Sequence, residues 1–324
     1  MLLNNKIELK YRIALFLPAI LLIFSGCRTE IEFKAAERQS KIVLNSAVYI
    51  DSLITCYVHR TVLSLESNQT IQPLTDALVI LQTEGVTIDT LQHVNKGFYK
   101  SKVYAQADKA YQFIVTREGF TTVRAQSQII IPTQIVSLEK ISTQYYSIEG
   151  VHVTTFRLRI EKDSQNQGFY AFIPYKKRYQ PLYDMYGNIV DSVLYYYSVY
   201  LNLDRSKGIE FSRMVEVFDG TYSSYIEKHY FTDKLESSNN TSIIDFALES
   251  YNDHDFNGNL FIDVEKISQD MFYYYQSLTA LQNNNDFSFF TQPVQVFSNI
   301  EGGVGIVGTI KKYETILYQE NKEN

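Results

Sequence analysis

The sequence of 324 residues contains only two cysteines, six prolines and no tryptophan. Two cysteines cannot build the dense disulfide framework that holds many small secreted domains together. Hydrophobic packing must therefore stabilise the fold. Cys56 lies inside the alternating stretch TCYVHR and is predicted to be a small, buried, apolar residue.

An excess of positive charge is also missing. The chain has 30 Lys and Arg residues against 36 Asp and Glu residues, which gives a formal net charge of −6 at pH 7. Proteins that bind nucleic acids present a basic face to the phosphates. The charge balance therefore predicts no nucleic-acid partner and suits a domain that faces water.

The apolar run over residues 13–24 is too short for a bilayer-spanning helix, which needs about 20 apolar residues. Lys6, Lys10 and Arg12 precede this run. A basic start, a short apolar stretch and small residues at the exit are typical of a secretory signal. The sequence therefore predicts a signal peptide over residues 1–26.

Ser25, Gly26 and Cys27 end this segment and resemble a bacterial lipobox. The resemblance implies that Cys27 is acylated with fatty acids such as palmitate and becomes the mature N-terminus. Several acyl chains hold a protein durably at a lipid bilayer. Residues 27–40 are then a tether. Arg28, where an aspartate would retain the protein at the inner membrane, implies an outer-membrane location facing the periplasm or the cell surface. The alternative is an ordinary signal peptide in which the cysteine stands by chance.

Aromatic residues are abundant, with 26 Tyr and 20 Phe, and they favour strands. Residues 41–132 divide into short alternating segments separated by turn pairs such as Glu84-Gly85, Lys96-Gly97 and Glu118-Gly119. About seven strands at this spacing are typical of an immunoglobulin-like β-sandwich. The sequence predicts such a sandwich as the first domain.

The order of segments 73–80, 97–99 and 111–115 resembles transthyretin-like and carboxypeptidase-regulatory-like modules. Strand alternation puts Ala77, Val79 and Leu81 on one face. Tyr111, Phe113 and Val115 share a face in the same way, and the two faces are predicted to close into a core.

The stretch IIIPTQI marks the predicted domain boundary, because Pro132 cannot donate to a strand ladder. Residues 133–324 are predicted to form a second β-rich domain. Within it, MYGNIVDSVLYYYSVYLNL predicts a hairpin with Gly187-Asn188 at the turn. Residues 268–282 predict the one helix, with Ser268 as its N-cap.

The stretch DHDFNGNLFIDVE, residues 253–265, offers a candidate metal site. Asp253, Asp255 and Asn257 match the first half of a calcium-binding loop, but Val264 stands where such loops carry a bidentate glutamate. The alternative is a hairpin turn at the Asn-Gly pair, followed by a strand. Both interpretations stay open, and no cofactor other than calcium is predicted.

The stretch GGVGIVG, residues 302–308, satisfies the pattern G-x-G-x-x-G. A dinucleotide-binding fold needs a helix, a second strand and an acidic residue about 20 residues further on. Only 16 residues follow Gly308, so this function is excluded. The glycines are instead predicted to lie in a strand that a neighbouring chain segment approaches closely.

Tyrosines are dense in the predicted hairpin, and Tyr195, Tyr196, Tyr197 and Tyr200 are the candidate ligand-binding residues. Exposed aromatic rings contact sugars or protein partners. Alternation predicts that Tyr195 and Tyr197 share a face and that Tyr196 lies on the other. The alternative is ordinary sheet packing. The basic run at 176–178 is interpreted as a solvated turn.

Catalytic motifs are missing. The five histidines are scattered without metal-binding spacing, and no G-x-S-x-G nucleophile motif occurs. No catalytic residue is predicted, and the protein is not predicted to be an enzyme. A hydrolase whose catalytic groups come together only in the folded chain is kept as the least favoured functional hypothesis.

The C-terminal third resembles domain of unknown function 4249. The residues that carry the resemblance are 253–259, 264–268, 273–275, 293–296, 298–300 and 302–305. Members of this family, typically from Bacteroidota, are similar to outer-membrane lipoproteins encoded near TonB-dependent receptors. The resemblance implies a location and a fold but no activity.

Two hypotheses from different classes follow. The first is an envelope lipoprotein that serves as an accessory or ligand-binding partner of a TonB-dependent outer-membrane transporter. The second is a structural or adhesive cell-surface lipoprotein without a role in transport. Co-purification with a receptor distinguishes them.

Overall fold

The computed structural model describes residues 40–62, 70–161, 167–218, 223–233, 237–238, 241–251, 256–284 and 294–319. The predicted signal peptide, the tether up to residue 39, Cys27, Asp253 and Asp255 lie outside these ranges.

The described chain is mainly β, as predicted, with one α-helix, α1 (Gln269–Asn284), and a short 3-10 helix (Leu203–Arg205). The strands are β1 (Ile42–Tyr49), β2 (Leu53–Arg60), β3 (Gln72–Pro73), β4 (Leu78–Thr83), β5 (Val86–Asn95), β6 (Phe98–Tyr104), β7 (Gln112–Thr116), β8 (Val123–Gln126), β9 (Ile135–Tyr146), β10 (Val151–Glu161), β11 (Phe169–Tyr183), β12 (Ile189–Ser198), β13 (Ile209–Phe218), β14 (Ser223–Thr232), β15 (Ser237–Ser238), β16 (Thr241–Ser250), β17 (Leu260–Ile267), β18 (Val304–Lys312) and β19 (Ile316–Tyr318).

Period-two alternation of buried and more exposed residues marks β1, β2, β4, β6, β7 and β8. Val79 and Leu81 of β4 are fully buried, and so are Phe113 and Val115 of β7, while their neighbours in sequence are more exposed. The predicted shared faces are therefore confirmed. Cys56 of β2 is also buried, and burial raises the pKa of its thiol.

The predicted turns join these strands. Glu84-Gly85 and Lys96-Gly97 both have two successive positive φ angles, which is the backbone of the type I′ hairpin turn. Gly119 also has a positive φ, of 79°. Glycine adopts this conformation without the steric cost that a side chain adds.

The strands form two sheets. The larger has 15 strands, and its main path is β13-β14-β11-β17-β18-β1-β2-β6-β5-β4-β7-β8. Outside this path, β12 pairs with β11, β19 with β17 and β3 with β2. The smaller sheet has the order β15-β16-β10-β9.

One long-range pairing joins the two ends of the described chain. Strand β18 runs parallel to β1, with Val43 opposite Val304 and Tyr49 opposite Ile310. The glycines of this strand allow the approach: a Cβ on Gly303 or Gly305 would clash with backbone carbonyl oxygens of β1. The predicted role of these glycines in a closely approached strand is confirmed.

Helix α1 agrees with the predicted helix at 268–282. Ser268 precedes it, and the Ser268 hydroxyl oxygen accepts the Thr309 N–H of β18 at 3.1 Å. Asp270 N–H, in the first turn, donates to the Gln128 side-chain oxygen at 3.3 Å. Met271 and Phe272 are buried against the larger sheet, so the apolar side of the helix serves core packing.

Several hydrophobic clusters fill the interior. The first is made by residues of β1, β2 and β4–β8, and Ile300 and Val307 complete it. A second lies between the larger sheet and the smaller one and contains Phe156, Phe172 and Phe246. The residues from Ser40 onward belong to one compact unit. The division at residue 132 and the sandwich architecture of the first part stay predictions.

Candidate functional site

The predicted hairpin is confirmed, and a groove lies at its base. Strands β11 and β12 pair antiparallel, which puts Lys176 opposite Tyr197 and Arg178 opposite Tyr195. Directly opposed residues of two strands point to the same face of a sheet. Two cations and two tyrosines therefore share one face.

The interpretation of residues 176–178 as a solvated turn is wrong, because all three lie within β11. Lys177 points to the other face. Its ammonium lies 4.5 Å from the centre of the Phe261 ring and 5.7 Å from that of Tyr196. Cation–π attraction of this kind stabilises a lysine beside aromatic rings. The turn prediction failed because polar residues in a strand that reaches solvent look like loop residues in sequence.

The groove has a volume of about 540 Å³ and lies between the β11–β12 pair and the adjoining ends of β10 and β16. Its lining includes Lys176, Arg178, Tyr197, Tyr200, Glu249 and Tyr251. The volume falls in the range of about 300–1,000 Å³ that is usual for small-molecule sites.

Of the four predicted tyrosines, two line this groove. Tyr197 is 41% exposed and Tyr200 is 77% exposed. Tyr195 is partly buried beside Tyr197, with 6.3 Å between their ring centres. Tyr196 packs on the opposite face against Tyr175, at 5.7 Å. The predicted distribution between faces agrees with this arrangement.

Backbone hydrogen bonding fixes another part of the groove lining. The Glu249 N–H donates to the Tyr200 carbonyl at 2.9 Å, which brings the two residues together. The Asn202 amide donates to the Glu249 carboxylate at 2.7 Å and orients it. The groove lining therefore includes an oriented carboxylate as well as Lys176 and Arg178.

The outer half of the hairpin exposes apolar side chains. Met185 is 87% exposed and Tyr186 is 82% exposed. Tyr179, Tyr183, Ile189 and Val190 are exposed as well. We call these six residues, Tyr179, Tyr183, Met185, Tyr186, Ile189 and Val190, the hairpin patch.

The turn of the hairpin is held by its own hydrogen bonds. The Asp184 carboxylate accepts the N–H groups of Tyr186 at 2.8 Å and Asn188 at 2.9 Å. Hydrogen bonds from the Asn188 side chain and backbone lower the pKa of the Asp184 carboxyl. Gly187 supplies the positive φ that the turn requires. The hairpin patch is therefore displayed on a defined turn.

A charged pair that sequence reasoning missed lies inside the larger sheet. The Lys228 ammonium of β14 contacts the Glu265 carboxylate of β17, and both side chains are buried. Lys312 of β18 lies 3.7 Å from the second carboxylate oxygen. Burial, together with the charge of Glu265, raises the pKa of nearby Tyr275 to about 12. The only signal in sequence was the presence of five charged residues inside the otherwise strand-like stretches YIEKHYF and LFIDVEKI.

A second missed feature is a serine–histidine contact. Ser212 Oγ of β13 lies 2.7 Å from Nδ1 of His229 in β14. His229 is fully buried, and its Nε2 has no hydrogen-bond partner among the described residues. Burial lowers the pKa of His229 to about 3. Because the ring is enclosed by protein, the contact serves packing and offers no access to a substrate.

Residues 28–316 match the family described as Domain of unknown function (DUF4249). The chain belongs to the DUF4249 family. This confirms the resemblance found in the sequence, and the match includes both sheets, the groove and the hairpin patch. No curated protein shows significant similarity to the chain.

The predicted calcium loop of this DUF4249 chain is described only in part. Asn257 is exposed in a turn over residues 256–259, and β17 follows, as the turn interpretation requires. The acidic residues on either side of Val264 are both engaged. Asp263 accepts the Thr315 hydroxyl at 2.6 Å, and Glu265 holds Lys228. The calcium site at Asp253, Asp255 and Asn257 stays a prediction.

Across the described ranges, no three His, Cys, Asp or Glu side chains are grouped to hold a metal ion. Within the same ranges, none of the helices combines the length and apolar character that a bilayer-spanning helix requires.

Proposed function

We propose that this DUF4249 protein is an envelope lipoprotein that assists a TonB-dependent outer-membrane transporter and docks on it through the hairpin patch. Acylation of Cys27 would anchor it to the outer membrane. The observation that carries the proposal is the hairpin patch, six large apolar side chains exposed along the outer half of one hairpin.

The physical argument starts from solvation. Contiguous exposed apolar side chains cost free energy in water and are typical of surfaces that bind a partner. Tyrosine is enriched in such interfaces because it combines a large apolar ring with a polar hydroxyl. Three of the six residues of the hairpin patch are tyrosines. The hydrogen bonds of Asp184 keep the turn in place, which lowers the entropic cost of binding.

The choice of partner is supported by location and family. The lipobox-like sequence at Cys27 predicts the membrane in which TonB-dependent transporters lie. The family resemblance implies genes placed near those of such receptors. A transporter is therefore the partner for which the patch is proposed.

Affinity purification tests the docking. The tagged full-length protein, extracted gently from its own host, is expected to co-purify with a TonB-dependent transporter in stoichiometric amount. A triple variant of the hairpin patch should lose the transporter while the protein still accumulates. Surface substitutions usually change stability by less than about 0.5 kcal/mol. The variant carries Tyr186→Ser, Ile189→Ser and Val190→Ser.

A matched control removes the same residue types elsewhere. Tyr104, Ile71 and Val94 are 62%, 71% and 53% exposed and lie in the first half of the chain. Their replacement by serine should leave transporter recovery unchanged. Recovery of the wild-type protein without any transporter would contradict the proposal and favour a structural or adhesive role.

The lipid anchor has a separate test. Cells fed labelled palmitate should incorporate the label into the wild-type protein. Cys27→Ser should abolish incorporation and move the protein from the membrane fraction to the soluble fraction. Equal labelling of both proteins would show that Cys27 is not the acylated residue.

A further inference from the structure

We infer that the groove at the base of the hairpin binds an acidic oligosaccharide, a chain of sugars that carries carboxylate groups. The groove and the hairpin patch use different residues. The inference therefore goes beyond the docking proposal and does not depend on it. It rests on three features of the groove lining: its cations, its exposed tyrosines and its one oriented carboxylate.

The two cations of the groove indicate a negatively charged ligand. Lys176 and Arg178 lie on the groove side of β11, where the Lys176 ammonium lies 4.9 Å from the centre of the Phe256 ring. The ammonium of Lys177 is held among aromatic rings on the other side. Arg178 is exposed and makes no ion pair with any carboxylate that the structure describes. A basic wall is unexpected in a chain of net charge −6. A guanidinium and a carboxylate match in geometry and form strong paired hydrogen bonds.

The exposed tyrosines of the groove indicate a ligand made of several rings. Tyr200 and Tyr251 are 77% and 82% exposed, and Tyr197 is 41% exposed. Aromatic faces attract the partly positive C–H groups that line one side of a sugar ring, and the phenolic hydroxyls hydrogen-bond to sugar hydroxyls. Three exposed tyrosines beside one groove suit a ligand of several flat rings in sequence.

Glu249 decides between a sugar and an acidic peptide. Its carboxylate is held by Asn202 at 2.7 Å and offers the remaining oxygen lone pairs to the groove. A carboxylate only accepts hydrogen bonds, so it favours hydroxyl groups and repels further anions. A sugar chain supplies hydroxyls for Glu249 and spaced carboxylates for Lys176 and Arg178. A run of acidic side chains supplies no donor for Glu249 except its backbone.

Calorimetric titration of the purified full-length protein in detergent tests the inference without any transporter present. The probes are tetragalacturonate and tetramannuronate, with cellotetraose as the neutral sugar and tetraglutamate as the acidic peptide. We expect saturable binding of at least one acidic sugar, about tenfold or more tighter than cellotetraose. Raising the salt from about 0.1 M to about 1 M should weaken it, since the screening length falls from about 10 Å to about 3 Å.

Matched variants locate the site. Arg178→Gln and Tyr200→Ala should each weaken binding of the acidic sugar about tenfold. Arg124→Gln and Tyr225→Ala remove an exposed arginine and an exposed tyrosine elsewhere and should leave binding unchanged. Thermal melting curves check that all four variants fold.

Four results would overturn the inference. They are no binding of either acidic sugar, equal binding of cellotetraose, equal binding of tetraglutamate, and equal losses in the groove and control variants. None of these bears on transporter recovery, so a failure here is separate from a failure of the docking proposal.

Discussion

The first core and the interior beyond residue 133 differ in the polar and charged side chains that they bury. Among the described residues up to 132, the buried polar side chains are Ser46, Ser101 and Ser127, all of them small hydroxyls. Beyond residue 133, the buried residues include Lys228, His229, Asp233, Glu265 and Lys266. Burying a charge is costly unless it is paired, so the second region depends on a few specific contacts.

Aromatic residues differ in the same way. In the first core, the Tyr99 hydroxyl donates to the Leu74 carbonyl at 2.9 Å, and the ring partner of Tyr99 is the exposed His93, with 5.2 Å between the ring centres. In the second region, rings pack on rings, as in Phe211 with Tyr230 at 4.4 Å and Phe172 with Phe246 at 4.7 Å. The groove and the hairpin patch both lie in this second region. The proposed binding surfaces therefore lie on the part of the molecule whose interior is more polar and more aromatic.

The largest predicted effect comes from the buried ion pair. Glu265→Leu leaves the Lys228 charge buried without its nearest partner, and we expect a loss of about 3–5 kcal/mol in unfolding free energy. Denaturant titration measures it. The control lies in the first region: Asp76→Asn breaks an exposed pair with Arg117 and should leave the midpoint nearly unchanged.

The double variant Lys228→Met with Glu265→Leu sharpens this test. Replacement of both charges by apolar side chains should restore much of the lost stability, because no unpaired charge then remains at Lys228. A Glu265→Leu variant as stable as the wild type would contradict the proposed difference between the two interiors.

The next largest effect concerns the pairing of β18 with β1, which connects the two regions. Gly305 has a φ of 121°, and a Cβ there would collide with the Leu44 carbonyl oxygen of β1. Gly305→Ala should cost about 3 kcal/mol, from backbone strain plus the displacement of β18. Gly85 also has a positive φ, but a Cβ added there has no neighbour within 4 Å. Gly85→Ala should therefore lower the unfolding free energy by only about 1 kcal/mol. Equal losses would show that the approach of β18 to β1 is not tight.

The smallest effect is a pH dependence. His229 binds a proton readily when unfolded, with a pKa of about 6.5, but burial lowers its pKa in the folded protein to about 3. The unfolded chain therefore takes up a proton between these values, and stability falls as the pH falls. We expect His229 to contribute a loss of about 2 kcal/mol between pH 7 and pH 5.

The variant His229→Phe should flatten this pH dependence, whatever its effect on stability at pH 7. Unfolding midpoints across the pH range provide the measurement. His152→Phe removes a half-buried histidine of the smaller sheet and serves as the control for loss of a histidine as such. Unchanged slopes in His229→Phe would contradict the assignment.

Sequence patterns predicted the local structure of the first region well. One face of each strand is buried there, so alternation marks the strands, and the turn pairs mark their ends. The prediction was weaker along β11, where Phe169 to Tyr175 are all buried and alternation disappears. A strand covered on both faces has no period of two. The basic run that continues this strand was therefore misassigned to a turn.

The candidate site was predicted only in part. Tyr197 and Tyr200 were identified from the density of tyrosines and their alternation. Glu249 and Tyr251 could not be, because they lie about 50 residues further along the chain, at the end of β16 and just beyond it. The hydrogen bond from the Glu249 N–H to the Tyr200 carbonyl brings this segment to the tyrosines. The spacing of residues along the sequence does not reveal contacts between segments that meet only in the folded chain.

Local sequence patterns were enough to predict the strands with one buried face, the hairpin turn, the helix and the DUF4249 family. These depend on neighbours within a few residues, where backbone geometry fixes which side chains share a face. Only the tertiary structure decided that β18 lies beside β1, that Lys228 meets Glu265 and that the groove has a basic wall. Such contacts depend on strand order within the sheets, and strand order is set by packing across the whole chain.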